Sequence, residues 1–167
     1  MADSAIEFTL PDVDATDALG AALAQSFLRT GATSFIGRCA VLHLKGELGA
    51  GKTSCARSLL RALGVTGLIR SPTYTLVESY VLARLTCVHV DLYRVAGAAQ
   101  VGELGLRDLL TPEGLMLIEW PEKGDNAVPA ADLELWLDYA PTGRLARAVA
   151  RTPSGRAWLD NLSIDTR

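Results

Sequence analysis

The spacing of apolar residues predicts that the chain contains both strands and helices. A short strand is predicted at residues 5–10. Leu19, Leu23 and Phe27 then recur on one helical face, which predicts a first helix at residues 16–28. The apolar run CAVLHLKG leads into a glycine-rich loop, and the following KTSCARSLLRAL again shows helical spacing. This part of the chain is therefore predicted to fold as strand, loop and helix.

Later segments combine β-prone runs with one helical stretch. A Ser-Pro break in GLIRSPTYTLVESY predicts a loop that leads into a strand, and AQVGELGLRDLL has helical spacing interrupted by glycines. LTCVHVD and LMLIE predict buried strands that end in Asp91 and Glu119. The segments DLELWLDY and RLARAVAR predict an antiparallel hairpin across a Pro-Thr-Gly turn, and SGRAWLDNL predicts a short final helix.

Composition and charge narrow the class of protein. The chain has 167 residues, of which 49% are hydrophobic and 21% charged, and we expect a single globular domain over residues 1–167. A formal net charge of -3 disfavours nucleic-acid binding through the overall field, so any RNA contact is expected to be local or made by a partner. The acidic N-terminal residues differ from a signal peptide and no apolar stretch is long enough to span a membrane, so we expect a cytoplasmic protein.

The segment GELGAGKT carries the first candidate chemistry. It fits the pattern G-x-x-x-x-G-K-[ST], with a predicted strand before it and a predicted helix after it. Glycines let the backbone turn tightly and aim N–H groups at phosphate oxygens, Lys52 reaches the β- and γ-phosphates, and the Thr53 hydroxyl ligates Mg²⁺. We therefore predict a nucleotide site formed by Gly46, Glu47, Leu48, Gly49, Ala50, Gly51, Lys52, Thr53 and Ser54.

Two carboxylates are candidates for the metal and for the attacking water. Asp91 and Glu119 each follow an apolar run, and Mg²⁺ in such sites commonly takes one or two carboxylate ligands. The residues alone leave open which acid ligates the metal and which orients water or acts as general base. In the loop SPTYTLV, Thr73 or Thr75 is a candidate hydroxyl that senses the γ-phosphate, although an ordinary turn into a strand explains the same residues.

The remaining reactive side chains fit structural roles. His43 and His89 lie inside β-prone runs and are expected to be buried core histidines, and the three cysteines are expected to be buried reduced thiols. Trp120 is either a core residue or an aromatic that packs on a mobile loop. The sequence has no Asn-Lys-x-Asp segment, which selects guanine in many GTPases, so ATP is the favoured nucleotide.

Four motifs together resemble one family. GELGAGKT, SPTYTLVESY, HVDLYR and LIEWPE, in this order and spacing, are similar to those of the TsaE (formerly YjeE) family of small bacterial ATPases. The resemblance implies a P-loop NTPase-like α/β fold, a three-layer sandwich with a mostly parallel central sheet and antiparallel C-terminal strands. It also implies an ATP- and Mg²⁺-dependent role in making threonylcarbamoyladenosine on tRNA. TsaD-like and TsaB-like partners are implied, with tRNA contacted indirectly through the complex and no membrane involved.

The resemblance also assigns roles to individual residues. Carried over by position, Lys52 and Thr53 hold phosphate and Mg²⁺, Glu119 is the acid on the metal, and Asp91 is important for hydrolysis. The adenine is expected near the segment from Pro11 to Thr16, at the start of the first helix. The residues with an implied catalytic or switch role are Lys52, Asp91, Glu119, Thr73 and Trp120.

Two alternative functions use the same loop. A free-standing small-molecule kinase shares the P-loop but needs an arginine-rich lid, whereas Arg94, Arg107 and Arg144 are dispersed along the sequence. A nucleotide-dependent binding module without useful hydrolysis is disfavoured by the two acids. Because the sequence offers no obvious arginine finger or glutamine, we expect an ATPase that is slow when it acts alone.

Overall fold

The computed structural model describes residues 4–164, apart from the side chains of residues 32 and 33. Within this range, the strands are β1 (Ala5–Leu10), β2 (Ala40–Lys45), β3 (Val77–Val81), β4 (Thr86–Asp91), β5 (Leu115–Glu119), β6 (Leu133–Tyr139) and β7 (Arg144–Ala150). The α-helices are α1 (Val13–Ser34), α2 (Lys52–Ala62), α3 (Ala98–Glu103) and α4 (Pro153–Asp160). Short 3-10 turns cover Leu106–Leu109, Pro121–Lys123 and Asp125–Ala127.

All of these strands belong to one sheet with the order β1-β7-β6-β2-β5-β4-β3. The central strands β6, β2, β5 and β4 run parallel, whereas β7, β1 and β3 pair antiparallel to their neighbours. The predicted parallel centre with antiparallel C-terminal strands is therefore confirmed. Parallel pairing brings the carboxyl ends of β2, β4 and β5 to one edge of the sheet, where ligand sites of such folds form.

Alternating side chains divide the core between the two faces of the sheet. On β5, Leu115 and Leu117 join the larger apolar cluster beneath α1, α2 and α4, whereas Met116 and Ile118 join a smaller one beneath α3. Successive residues of a strand point to opposite faces, and a strand buried on both faces reads as a continuous apolar run. Residues 115–118 of β5, with the sequence LMLI, are all apolar because both faces of this strand are buried.

The first helix is longer than the sequence pattern predicts. It begins at Val13 rather than residue 16, because the Asp12 carboxylate accepts a 2.8 Å hydrogen bond from the Ala15 amide and caps the helix. At the other end it continues to Ser34, whose carbonyl accepts a 2.8 Å hydrogen bond from the Ser154 hydroxyl of α4. Contact with α4 thus stabilises turns that have little apolar periodicity of their own.

The helix predicted over residues 99–110 is divided in the structure. α3 ends at Glu103, and Gly105 adopts a left-handed φ of 63° before the 3-10 turn Leu106–Leu109. A glycine in this conformation ends a helix at little steric cost.

Other predictions made from the pattern agree with the structure. The strand at residues 5–10, the final hairpin and the short helix α4 are confirmed.

The three cysteines are buried free thiols, and burial raises the pKa of Cys39 to about 11 and the pKa of Cys55 and Cys87 to about 12. No helix in the described part of the chain has both the length and the apolar character needed to cross a bilayer.

Candidate functional site

The glycine-rich loop joins β2 to α2, as its motif requires. α2 begins at Lys52, and its N-cap residue Gly51 has a φ of 108° and provides no side-chain cap. The first amide groups of a helix lack partners within the helix, and they carry the positive end of its dipole. This helix terminus is therefore suited to bind an anion such as phosphate.

A cleft of about 500 Å³ lies above the loop. Side chains from six separate segments line it, and the three that follow β2, β4 and β5 come together because these strands end at the same edge of the sheet. The residues predicted as catalytic or metal-binding that line the cleft are Lys52, Thr53, Thr73, Asp91, Glu119 and Trp120. The structure thus gathers into one place a set that spans much of the sequence.

The Thr53 hydroxyl and the Glu119 carboxylate are in direct contact. Thr53 Oγ1 lies 2.8 Å from Glu119 Oε2 and 3.0 Å from Oε1, while His89 Nε2 lies 2.7 Å from Oε1. Two oxygen ligands at adjacent corners of an octahedron around Mg²⁺, each about 2.1 Å from the ion, are about 3 Å apart. The spacing of these two side chains therefore fits an Mg²⁺ ion held by both.

The two donors, a hydroxyl oxygen and a carboxylate oxygen, are hard ligands, which suit Mg²⁺ better than softer transition metals. Among the described residues, no group of three or more His, Cys, Asp or Glu side chains could hold a metal ion. Mg²⁺ keeps several waters and is usually bound through one or two protein oxygens together with substrate phosphates.

Lys52 is buried against the loop that precedes it. Its ammonium group donates hydrogen bonds to the carbonyl oxygens of Gly46 (2.6 Å) and Glu47 (2.7 Å), and it lies 4.1 Å from the centroid of the Trp120 ring. Burial lowers the pKa of Lys52, and the carboxylate of Glu119 acts in the opposite direction. The cation and the indole ring form one wall of the cleft, so Trp120 belongs to the site rather than to the core alone.

Asp91 ends β4 directly beside Glu119 on β5. Its side chain accepts a hydrogen bond from the Tyr93 amide at 3.0 Å, and the Thr73 hydroxyl lies 3.4 Å from its other oxygen. Burial raises the pKa of Asp91, and the nearby Glu119 carboxylate adds to this effect, whereas the two hydrogen bonds oppose it. A carboxylate with a raised pKa is a stronger proton acceptor than an exposed aspartate.

The two residues predicted to lie near the adenine, Pro11 and Thr16, are in different environments. Pro11 is exposed and does not line the cleft, whereas Val13, two residues later, does. Thr16 is fully buried, and its methyl group lies against Gly51 beneath the loop. The start of α1 therefore borders the cleft through Val13 and supports the loop through Thr16.

Two arginines that are dispersed along the sequence line the same cleft. Arg144, at the start of β7, donates a 3.0 Å hydrogen bond to the Gly49 carbonyl, and the Arg94 guanidinium stacks 4.6 Å from the centre of the Tyr74 ring. Arg107 lies elsewhere and bonds the Asn126 carbonyl. Arg144 is distant from the glycine-rich loop in sequence but close to it in space, because the strand order places the start of β7 beside the loop.

The two histidines are buried, as predicted, but only one has a purely structural partner. His43 Nε2 bonds the Pro129 carbonyl at 2.8 Å, and burial lowers the pKa of His43. His89 contacts the carboxylate of Glu119 instead. Its position two residues before Asp91 on the same strand face is the sequence signal that could have indicated this contact.

The strand–loop–helix unit, the parallel central sheet and the carboxylates at its edge define the P-loop class of α/β proteins. Comparison with known proteins narrows this class. The family model described as "Threonylcarbamoyl adenosine biosynthesis protein TsaE" matches residues 10–148, so the chain belongs to the TsaE family, which acts in tRNA threonylcarbamoyladenosine biosynthesis. The resemblance drawn from four motifs is thereby confirmed.

Individual relatives agree with this family assignment. The tRNA threonylcarbamoyladenosine biosynthesis protein TsaE of Haemophilus influenzae is 40% identical over 116 residues, which cover 70% of this chain and 73% of the relative. The protein of the same name from Synechocystis is 39% identical over 127 residues and 74% of each chain. The crystal structure of YdiB from Bacillus subtilis matches 97% of this chain and 96% of its own with a TM-score of 0.76, and at 23% identity it supports the fold alone.

Proposed function

We propose that this chain is an Mg²⁺-dependent ATPase that acts in the formation of threonylcarbamoyladenosine on tRNA. The observation that carries the proposal is the contact between the Thr53 hydroxyl and the Glu119 carboxylate beside the P-loop lysine, since this is the arrangement that a nucleotide-bound Mg²⁺ needs. Membership of the TsaE family supplies the pathway. We propose a cytoplasmic location, which a role in tRNA modification supports.

In this proposal the loop amides and Lys52 bind the phosphates, while Thr53 and Glu119 hold the metal. Bound Mg²⁺ supplies positive charge that stabilises the transferred phosphoryl group. Asp91 accepts the proton of the attacking water, a role that suits its raised pKa. The Thr73 hydroxyl, which lies beside Asp91, connects the loop before β3 to this step.

The proposed partners are TsaD-like and TsaB-like proteins, and tRNA is contacted through them. A chain with a formal net charge of -3 is poorly suited to hold the tRNA backbone by itself. ATP is the proposed nucleotide, because the sequence lacks the Asn-Lys-x-Asp segment that reads guanine.

The presence of Arg94 and Arg144 in the cleft favours one alternative, a free-standing kinase that transfers phosphate to a small acceptor. Arginines of a kinase contact the transferred phosphoryl group and would make partners unnecessary. In the ATPase proposal, Arg144 supports the P-loop through the Gly49 carbonyl, and both arginines contact the nucleotide.

The test is ATP turnover by the protein alone and with purified TsaD-like and TsaB-like proteins, using Lys52→Ala, Asp91→Asn and Glu119→Gln as variants. We expect slow turnover alone, stimulation by the pair, and loss of the stimulated rate and of tRNA modification in all three variants. Full modification with Lys52→Ala would refute the proposal. Transfer of phosphate to a small acceptor without partners would support the kinase instead.

A further inference from the structure

We infer that His89 is a positioning residue, whose imidazole holds one oxygen of Glu119 so that the other oxygen stays beside the Thr53 hydroxyl, ready for the metal. The inference rests on the proposed function, because it assumes that Thr53 and Glu119 bind Mg²⁺. In this inference, the buried His89 orients the proposed metal ligand Glu119 and does more than fill space in the core.

The register of the sheet produces this contact. β4 and β5 pair in parallel, with His89 opposite Leu117 and Asp91 opposite Glu119. His89 therefore lies on the same face as Asp91, one pleat deeper in the sheet, and its ring reaches diagonally to the Glu119 carboxylate. The two side chains are 1% and 2% exposed and 2.7 Å apart, so water does not compete for the bond.

The direction of the bond follows from the chemistry of the two groups. An ionised carboxylate can only accept hydrogen bonds, so Nε2 of His89 carries the hydrogen and donates it to Oε1. Within the described part of the chain, the opposite ring nitrogen, Nδ1, is buried and has no hydrogen-bond partner. A buried polar atom without a partner costs free energy, so what this imidazole contributes is the single bond to Glu119.

In the described part of the chain, the side chains that hydrogen-bond the Glu119 carboxylate are Thr53 and His89. If the Thr53 oxygen bound a cation, its hydrogen would point away from that cation and would be poorly aligned for donation to a carboxylate oxygen on the same cation. The bond from Thr53 to the coordinated oxygen of Glu119 would then weaken, whereas His89 Nε2, which lies 2.7 Å from Oε1, would still donate to the carboxylate. His89 is thus the residue that keeps the carboxylate oriented in the metal-bound state.

Outer partners of this kind typically change metal affinity or activity by about 10–100-fold when they are removed. We therefore expect removal of the Nε2 donor to raise the Mg²⁺ concentration required for tight nucleotide binding by a factor in this range. Nucleotide affinity without metal should not change, because His89 does not line the cleft.

Two conservative variants separate this role from simple filling of the core. In His89→Gln the amide nitrogen can occupy the position of Nε2, whereas in His89→Asn it can reach only the position of Nδ1. We expect His89→Asn to need about 10–100-fold more Mg²⁺ for half-maximal binding of a fluorescent ADP analogue, and His89→Gln to resemble the unmodified protein. His43→Asn and His43→Gln are matched controls, since that buried histidine bonds a backbone carbonyl.

A structural role would lower the melting temperature of both His89 variants and leave the Mg²⁺ requirement unchanged, which would overturn the inference. An equal rise in the Mg²⁺ requirement for Gln and Asn would also overturn it. If the unmodified protein binds the ADP analogue without any effect of Mg²⁺, the proposed function fails and the inference fails with it. An unchanged His89→Asn in a clearly Mg²⁺-dependent protein refutes the inference alone.

A measurement on the unmodified chain gives an answer even if both variants unfold. Nitrogen-15 NMR reports whether Nε2 of His89 carries a hydrogen and whether that hydrogen is bonded. We expect the protonated, hydrogen-bonded Nε2 signal to persist after Mg²⁺ and ADP are added. Loss of the bond on addition of Mg²⁺ and ADP would show that His89 does not hold Glu119 in the bound state.

Discussion

Substitution of Gly46 by alanine tests whether close packing of the P-loop on the hairpin sets the geometry of the site. A Cβ atom at Gly46 would overlap the carbonyl oxygen of Leu137 and lie 2.9 Å from its carbonyl carbon. The residue also has a φ of +131°, a conformation that L-residues rarely adopt. The loop and β6 must therefore move apart if any side chain is added.

The expected loss of stability in Gly46→Ala has two contributions. The backbone conformation alone costs about 1–3 kcal/mol for a residue with a Cβ, and forced overpacking adds about 1–3 kcal/mol. Gly64 is a matched control, because its φ is +106° and a Cβ there would contact nothing within 4 Å. Gly64→Ala should show the backbone cost only. For a chain of this size each 1 kcal/mol lowers the melting temperature by about 2–4 °C.

The functional effect should be larger than the stability effect. The Gly46 carbonyl accepts a hydrogen bond from Lys52, so displacement of the loop also moves the lysine that we propose binds phosphate. Misplacement of catalytic groups by about 1 Å can reduce a rate about 10²-fold. Thermal unfolding and ATP turnover of Gly46→Ala and Gly64→Ala are the assays. Equal losses of stability and activity in the two variants would refute the reasoning.

Three further predictions follow from the same structure. Since burial raises the pKa of Asp91 above the ordinary value of 3.8, ATP hydrolysis should decline on the acid side at a higher pH than for an exposed aspartate; a pH-independent rate would contradict this. Trp158→Ala should lower the free energy of unfolding by about 3–5 kcal/mol in denaturant titrations, and Trp158→Phe by less, because the indole is fully buried among Phe27 and Phe35. The three buried cysteines should resist alkylation by iodoacetamide at pH 8 until the protein is unfolded, and rapid labelling of the native protein would oppose their placement.

Local patterns were sufficient to predict many elements of this fold. The strand Ala5–Leu10, the helix after the glycine loop and the final hairpin depend on spacing and turn residues within about ten positions, and each is confirmed. The predicted bounds of α1 were wrong because its N-cap Asp12 lies outside the apolar repeat and its last turns contact α4. Tertiary contact therefore decided where this helix ends.

In the candidate site too, the sequence predicts some features, and others depend on the tertiary structure. The types of Lys52, Thr53, Asp91 and Glu119, and their positions at the end of a strand or the start of a helix, could be interpreted from the sequence, because phosphate and Mg²⁺ demand such groups. The contacts of Arg144 with the loop could not, because β7 approaches the loop only through the strand order.

The sequence by itself thus determined most of the strands and helices, the glycine-rich loop and the chemical groups available, since these depend on neighbours along the chain. Only the tertiary structure decided that His89 contacts Glu119 and that Thr53 and Glu119 lie 2.8 Å apart. Strand order and register place residues that are distant in sequence side by side, and no local pattern encodes which strands become neighbours.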